Sequence, residues 1–305
     1  LIVNGITAKG TKMITGSIVA LVTPMIPDSL DVDWDALERL VEWHIEQGTH
    51  ALVAVGTTGE SATLSVEEHS RAIKKAVTIS NGRIPVIAGT GANCTREAIE
   101  LTSAAKKAGA DACLLVTPYY NKPTQEGIYQ HYKALSESSN LPIILYNVPG
   151  RTSSNISAET TLRLASDFEN IVAIKEASGN LDQITELVLG RADDFKIISG
   201  DDNLTFAMLG LGCDGVISVS GQGVPEVFCK VYDEAAAGNW SASKEAHLSL
   251  FNLTNLLFAE GNPAGIKTTL QLRGICNDTV RLPLVEASEG LKEALRIELE
   301  SLNIL

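Results

Sequence analysis

What this 305-residue chain lacks narrows its function before any motif is weighed. Its five cysteines, Cys94, Cys113, Cys213, Cys229 and Cys276, are odd in number and scattered, with no C-x-x-C pair. That spacing argues against a disulfide frame and a zinc site and fits small buried hydrophobes in a reducing cytosol. His44, His50, His69, His131 and His247 form no H-x-x-x-H or H-x-H pair, so no metal site is expected and a metal-dependent aldolase is disfavoured. Positive charge is scarce: 24 Lys and Arg against 37 Asp and Glu leave −13, without a basic cluster. Nucleic acid and anionic membrane are therefore not expected partners. No apolar stretch approaches the ~18 residues of a membrane span and no signal-peptide layout is present, which points to a soluble, unexported, cytoplasmic protein. Nucleotide signatures are missing as well. No G-K-[ST] follows the glycine turn at 56–61, and G-T-G-A-N at 89–93 lacks the third glycine of a dinucleotide fingerprint. Pyridoxal phosphate could use a lysine, but no additional glycine-rich phosphate cup and no acidic partner for its ring stand out. No cofactor is expected.

What remains is a chain able to bury a large core, with 45% hydrophobic and 20% charged residues and no linker to divide it. Short β-rich runs at 18–22, 51–55, 85–88, 112–116, 143–147, 172–175, 196–199 and 215–219 are apolar continuously, as in parallel strands covered on both faces. Helical patterns fill the gaps at 34–46, 66–80, 96–108 and 125–138, behind the candidate N-caps Asp33, Ser65, Thr95 and Thr124. Others follow at 158–166, 181–189 and 204–209, then at 225–237, 241–259, 267–273 and 286–302. Eight β-α units predict a (β/α)8 TIM barrel over 13–224 with a C-terminal helical region over 225–305; an open doubly wound sheet is the alternative. The first twelve residues carry little pattern and no initiator Met, so Met13 is a natural start and 1–12 an extension or expression scar.

In such a barrel the chemistry sits at the C-terminal strand ends. Lys175 closes the run Ile171, Val172, Ala173, Ile174 and places an amine at the end of a buried strand. Loss of water favours the neutral amine that attacks a ketone to form a Schiff base; the plainer alternative is a head that snorkels to solvent or pairs with Glu176. The turn G-T-T-G-E offers backbone N–H groups to a carboxylate or phosphate, or merely needs glycine to turn. Tyr146, one strand from Lys175, is either a core aromatic or a phenol that shuttles a proton with help from Thr57. Arg151 is either a surface ion pair or a bidentate clamp for a substrate carboxylate.

Six segments in register, G-T-T-G-E-S at 56–61, V-I-A-G-T-G-A-N at 86–93, V-T-P-Y-Y-N at 116–121, L-Y-N-V-P-G-R-T at 145–152, I-K-E-A-S-G-N at 174–180 and S-G-D-D at 199–202, resemble the dihydrodipicolinate synthase family. These are class I pyruvate-dependent lyases, and the resemblance runs from about residue 13 to 305. It implies that Lys175 forms an imine with pyruvate, whose enamine attacks aspartate 4-semialdehyde. Tyr146 and Thr57 match two members of the family's proton relay; Tyr120 matches the third, contributed by a neighbouring subunit. Thr58 matches the backbone binder of the pyruvate carboxylate, Arg151 the binder of the second substrate's carboxylate, and Gly200 and Ile217 positions lining the lysine pocket. A shared tyrosine implies at least a dimer, and the family is commonly a homotetramer, a dimer of dimers.

The resemblance also implies regulation by lysine, bound between two subunits, with Ser61, Ala62, His69, Asn93, Glu97 and Tyr119 matching that cleft. Two departures stand out. Val66 replaces a histidine frequent in inhibited members, and the stretch at 218–223 lacks a usual Asn. A sugar-acid lyase of the same fold would need a pocket for a long polyol, whereas Arg151 favours a short acidic second substrate. A silent homologue sensing pyruvate or lysine would not need to retain Lys175, Tyr146, Thr57 and Tyr120 together.

Overall fold

A computed structural model describes residues 14–305; Met13 and the segment 1–12 lie outside the described residues. Eight strands, β1 (Gly16–Ala20), β2 (Ala51–Ala54), β3 (Val86–Gly89), β4 (Ala112–Val116), β5 (Ile143–Asn147), β6 (Ile171–Glu176), β7 (Lys196–Ser199) and β8 (Gly215–Ser218), pair in chain order and close into a barrel. Every pairing is parallel, and β8 returns to β1. The apolar runs have the cause inferred for them. Ile18, Val53, Ile87, Leu114, Ile144 and Ile217 fill the interior, while their strand neighbours Val19, Leu52, Val86, Leu115, Leu145 and Val216 face the surrounding helices. Closure replaces the doubly wound alternative: all strand edges are consumed. No helix among the described residues is long and apolar enough to cross a membrane.

The helices begin largely where capping chemistry put them. Asp33 accepts from the N–H of Ala36, Ser65 forms a reciprocal capping box with Glu68, and Thr124 accepts from Gly127. Thr95 does not cap. It is the first residue of the helix Thr95–Ala108, and its hydroxyl bonds His131 Nδ1 at 2.9 Å on the next helix. The single helix expected at 241–259 is two, Trp240–Ser249 and Phe251–Phe258. The two are separated at Leu250, and Leu250, Leu253 and Leu257 pack into the core formed with β1, β2 and the C-terminal helices. Strand β1 starts two residues before the apolar run. Gly16 and Gly215 face each other across the seam, where a Cβ on Gly215 would lie 2.6 Å from the Gly16 backbone. Only glycine permits that approach, and an apolar-run criterion does not register it.

Two buried histidines tie this fold to pH. His44, on the helix Trp34–Glu46, is held by Thr49 Oγ1 at 3.0 Å, and burial pushes it down to about 3. Burial likewise pushes His131 down to about 4. Between those values and the ordinary 6.5 the unfolded chain binds more protons than the folded one, so stability rises with pH across that window. It is fully present above 6.5 and is lost as the pH falls toward 4 and 3. Thermal unfolding measured across this range is expected to show a falling midpoint on acidification, with a flatter dependence in the His44→Gln/His131→Gln variant. Coincident slopes would assign the acid sensitivity to other groups.

Candidate active site

The two-residue period of a strand decides which side chains meet at the top of the barrel. In β6, Ala173 faces inward, so Lys175 does too and Glu176 faces out; in β5, Ile144 and Tyr146 face inward and Asn147 out. The register pairs Tyr146 with Lys175 and Asn147 with Glu176. Lys175 is 6% exposed, and its Nζ sits 4.4 Å from the centre of the Tyr146 ring. A pairing of Lys175 with Glu176 is therefore geometrically foreclosed. The Glu176 carboxylate, fully buried on the other face, accepts from Asn147 Nδ2, Gln183 Nε2 and the Ser178 N–H. Gly200 makes room for the lysine stem, since a Cβ there would meet Lys175 Cε at 2.9 Å.

Above the amine lies a cavity of about 370 Å³ whose walls include Lys175, Tyr146, Thr57, Thr58, Gly200 and Ile217, with Arg151 at the edge. The turn that carries Thr57 and Thr58 starts at Val55, a β-branched residue in the left-handed region at φ 59. Gly59 and Gly89 pack on that strained residue; a Cβ on Gly89 would lie 2.3 Å from the Val55 carbonyl oxygen. Within the turn the N–H groups of Gly59 and Glu60 bond the carbonyls of Gly56 and Thr57. Those of Thr57 and Thr58 meet no acceptor among the described residues, which suits a carboxylate cradle. Thr58 is buried, and its Oγ1 accepts from Asn262 Nδ2 at 2.9 Å. Arg151 sits on a short helix, Pro149–Thr152, unforeseen in the sequence, with no carboxylate partner among the described residues.

Tyr120 is not in this cavity. It is 89% exposed, at φ 70, and projects from the loop after β4. Tyr119 turns instead toward a second cavity, about 540 Å³, lined also by Ser61, Ala62, His69 and Glu97. Burial raises the Tyr119 phenol and the nearby Glu97 adds to the rise. Two members of the sequence-derived lysine set, Asn93 and His69, have partners within the chain. Asn93 does not line this cavity: its Nδ2 donates to the Tyr119 carbonyl at 3.2 Å, and its own carbonyl accepts from Asn121. His69 lines the cavity. It is buried, and its Nε2 lies 2.9 Å from the Gly89 carbonyl, which can only accept. Nε2 therefore carries the proton and Nδ1 is the ring's acceptor. Burial lowers the His69 pKa, in keeping with a neutral ring. Val66, 68% exposed, stands outside this lining.

The unusual stretch after β8 has a definable role. Ser220–Gly223 forms a short helix, and the Gln222 side chain spans to the end of β1, donating to the Ala20 carbonyl and accepting from the Val22 N–H. Asp202, raised by burial, accepts from the N–H groups of Val219 and Ser220. Sequence reasoning missed Asn262 and the Asn147–Glu176 pair. The latter lay within the quoted motifs, and the signal was a polar residue at an outward, helix-covered position of each strand.

The chain matches the model of the dihydrodipicolinate synthetase family over residues 13–302. It is 50% identical over 293 residues to the 4-hydroxy-tetrahydrodipicolinate synthase of Pseudomonas syringae pv. syringae, covering 96% of this chain and all of that protein. Among solved structures, the chloride-inhibited dihydrodipicolinate synthase of Acinetobacter baumannii, complexed with pyruvate, superposes with a TM-score of 0.93 at 51% identity, covering 96% of this chain and 100% of that one. The enzyme of Cyanidioschyzon merolae with lysine bound gives 0.92 at 38% identity, covering 95% and 99%. This chain belongs to the dihydrodipicolinate synthetase family.

Proposed function

We infer that this chain is a 4-hydroxy-tetrahydrodipicolinate synthase, a Schiff-base lyase of lysine and diaminopimelate biosynthesis that condenses pyruvate with L-aspartate 4-semialdehyde. The observation that carries the reading is the Lys175 amine, buried at the end of β6 beside Tyr146 and open to a cavity beneath the Thr57–Thr58 turn. The amine adds to the pyruvate ketone, and loss of water from the carbinolamine leaves an iminium. The iminium is the electron sink, so loss of a methyl proton gives an enamine without a cofactor. The enamine carbon bonds to the aldehyde carbon, whose oxygen takes up a proton. The second substrate's own amine then displaces Nζ, closing the ring and freeing Lys175. One water is released overall. Tyr146, Thr57 and Tyr120 of the partner subunit carry the protons, the free N–H groups of the turn hold the pyruvate carboxylate at Thr58, and Arg151 grips the second carboxylate through its planar fork. Gly200 and Ile217 shape the pocket around the lysine stem.

Borohydride is expected to fix one reduced pyruvate per wild-type chain and none at this site in Lys175→Ala. Arg151→Ala is expected to lower kcat/KM for the semialdehyde while pyruvate trapping persists. Equal labelling of Lys175→Ala, or parallel loss of both functions in Arg151→Ala, would overturn these roles.

The exposed Tyr120 is the reason for assigning it to the neighbour's site in a cytoplasmic homotetramer built as a dimer of dimers; four of the five thiols are free and buried, as a reducing compartment allows. Chains carrying Lys175→Ala and chains carrying Tyr120→Phe, each inactive alone, are expected to regain activity after subunit exchange, because one site of each hybrid is intact. Exchange without recovery would place Tyr120 within its own chain.

The second cavity is proposed to bind lysine as an inhibitor, with Glu97 and His69 Nδ1 as acceptors for its ammonium groups, the Tyr119 hydroxyl as a donor to its carboxylate, and Ser61 and Ala62 as walls. Asn93 contributes by holding the Tyr119 backbone. Glu97→Ala is expected to abolish inhibition and leave turnover nearly intact. Inhibition that survives, or that is competitive with pyruvate, would move the lysine site elsewhere.

A further inference from the structure

Two charged side chains without any solvent exposure lie beneath the turn that carries Thr57 and Thr58. Lys267, on the C-terminal helix Ala264–Leu272, places Nζ 2.5 Å from Glu60 Oε1 and donates to the Thr279 carbonyl at 2.7 Å. The other oxygen of Glu60 accepts from the Arg281 N–H at 3.0 Å. Asn262, just ahead of the same helix, supplies a second tie through its bond to Thr58 Oγ1. Apart from the Lys267–Thr279 bond, these contacts join residues more than 200 positions apart, between the C-terminal region and a loop of the barrel's second unit.

Stability is a poor reason for such a pair. Removing two charges from water costs about as much as their attraction returns, and an apolar pair of the same volume stabilises a core as well or better. What the ion pair provides that an apolar contact does not is direction and reach at one point. The turn needs that: it is bounded by Val55 at φ 59 and Glu60 at φ 56, two non-glycine residues in the left-handed region, a conformation that surrounding contacts have to hold.

We propose that the buried Lys267–Glu60 ion pair, assisted by Asn262, is a positioning element of the catalytic site that fixes the 56–60 turn so that Thr57 and Thr58 meet the pyruvate adduct on Lys175. The proposal rests on the reading of Lys175 as the imine-forming lysine. Glu60 and Lys267 touch no reacting atom; they act through the turn. A displacement of the turn disturbs pyruvate binding and proton transfer, and leaves the Arg151 side of the cavity, carried by the loop after β5, in place.

Three variants of the full chain test this: Glu60→Asp, which keeps the charge and retracts the carboxylate by one methylene; Glu60→Gln/Lys267→Met, which removes both charges at similar size; and Asn262→Leu, which cuts the second tie without touching a charge. Each is followed by thermal unfolding, steady-state kinetics for both substrates and the rate of borohydride trapping with pyruvate. In every variant that folds, kcat/KM for pyruvate and the trapping rate are expected to fall on the order of ten- to hundredfold with a raised pyruvate KM, the scale of a misplacement near 1 Å. The KM for the semialdehyde is expected to stay near its wild-type value. A merely structural role lowers the amount of active enzyme and moves neither KM, so folded variants with wild-type pyruvate KM and trapping rate overturn the proposal. Should both charge variants fail to fold, Lys267→Arg, which keeps both charges and moves the donor, decides the matter by the same readouts. Absence of trapping in the wild type would instead overturn the assignment of Lys175 itself, and this proposal with it.

Discussion

The amine of Lys175 is held inside a barrel whose neighbouring inward positions are Tyr146 on one side and Ile198 on the other, where it has given up most of its water. Little compensates it. The face of the Tyr146 ring at 4.4 Å offers a cation–π contact, and the carboxylate next to it in sequence points through the barrel wall in the opposite direction. The rest of the site is arranged around that amine. Glycine at 200 leaves the stem its path, and the strand-end turns supply N–H groups and a guanidinium where an anionic substrate would bring its own compensating charge.

That arrangement depends on groups the substrate never reaches. Glu176 is stabilised by amide and backbone donors from Asn147, Gln183 and Ser178, which knit the tops of β5 and β6 to the helix beyond. Gln222 and Asp202 do the same for β8, with β1 and the β7 loop. Buried polar groups of this kind cost free energy unless every one is satisfied, and satisfied networks define a single geometry. Three strand ends that border the cavity are thus locked by buried polar residues outside it.

The two cavities share walls. Thr57, Val148, Arg151 and Asn262 border both. A ligand in the second cavity can influence the first only through a difference in its affinity for two positions of these residues.

The sequence by itself determined the eight strand-helix units, the place of Lys175 at a strand end and most of the polar strand ends, because continuous apolar runs, N-caps and short motifs are local properties of the chain. Helix boundaries were less legible: the pattern at 241–259 is divided at Leu250, and Thr95 enters its helix with its hydroxyl bonded to His131 instead of capping it. The continuous apolar run of β6 did not tell which of its two faces was the interior. Only the tertiary structure decided that Lys175 faces in, that Tyr120 faces away from its own cavity, that Asn93 braces a backbone and does not line a site, and that Lys267 and Asn262 reach across the molecule to the Thr57–Thr58 turn. Those are relations between residues far apart in the chain, set by barrel closure and by the packing of the last helices, and no local pattern of polarity encodes them.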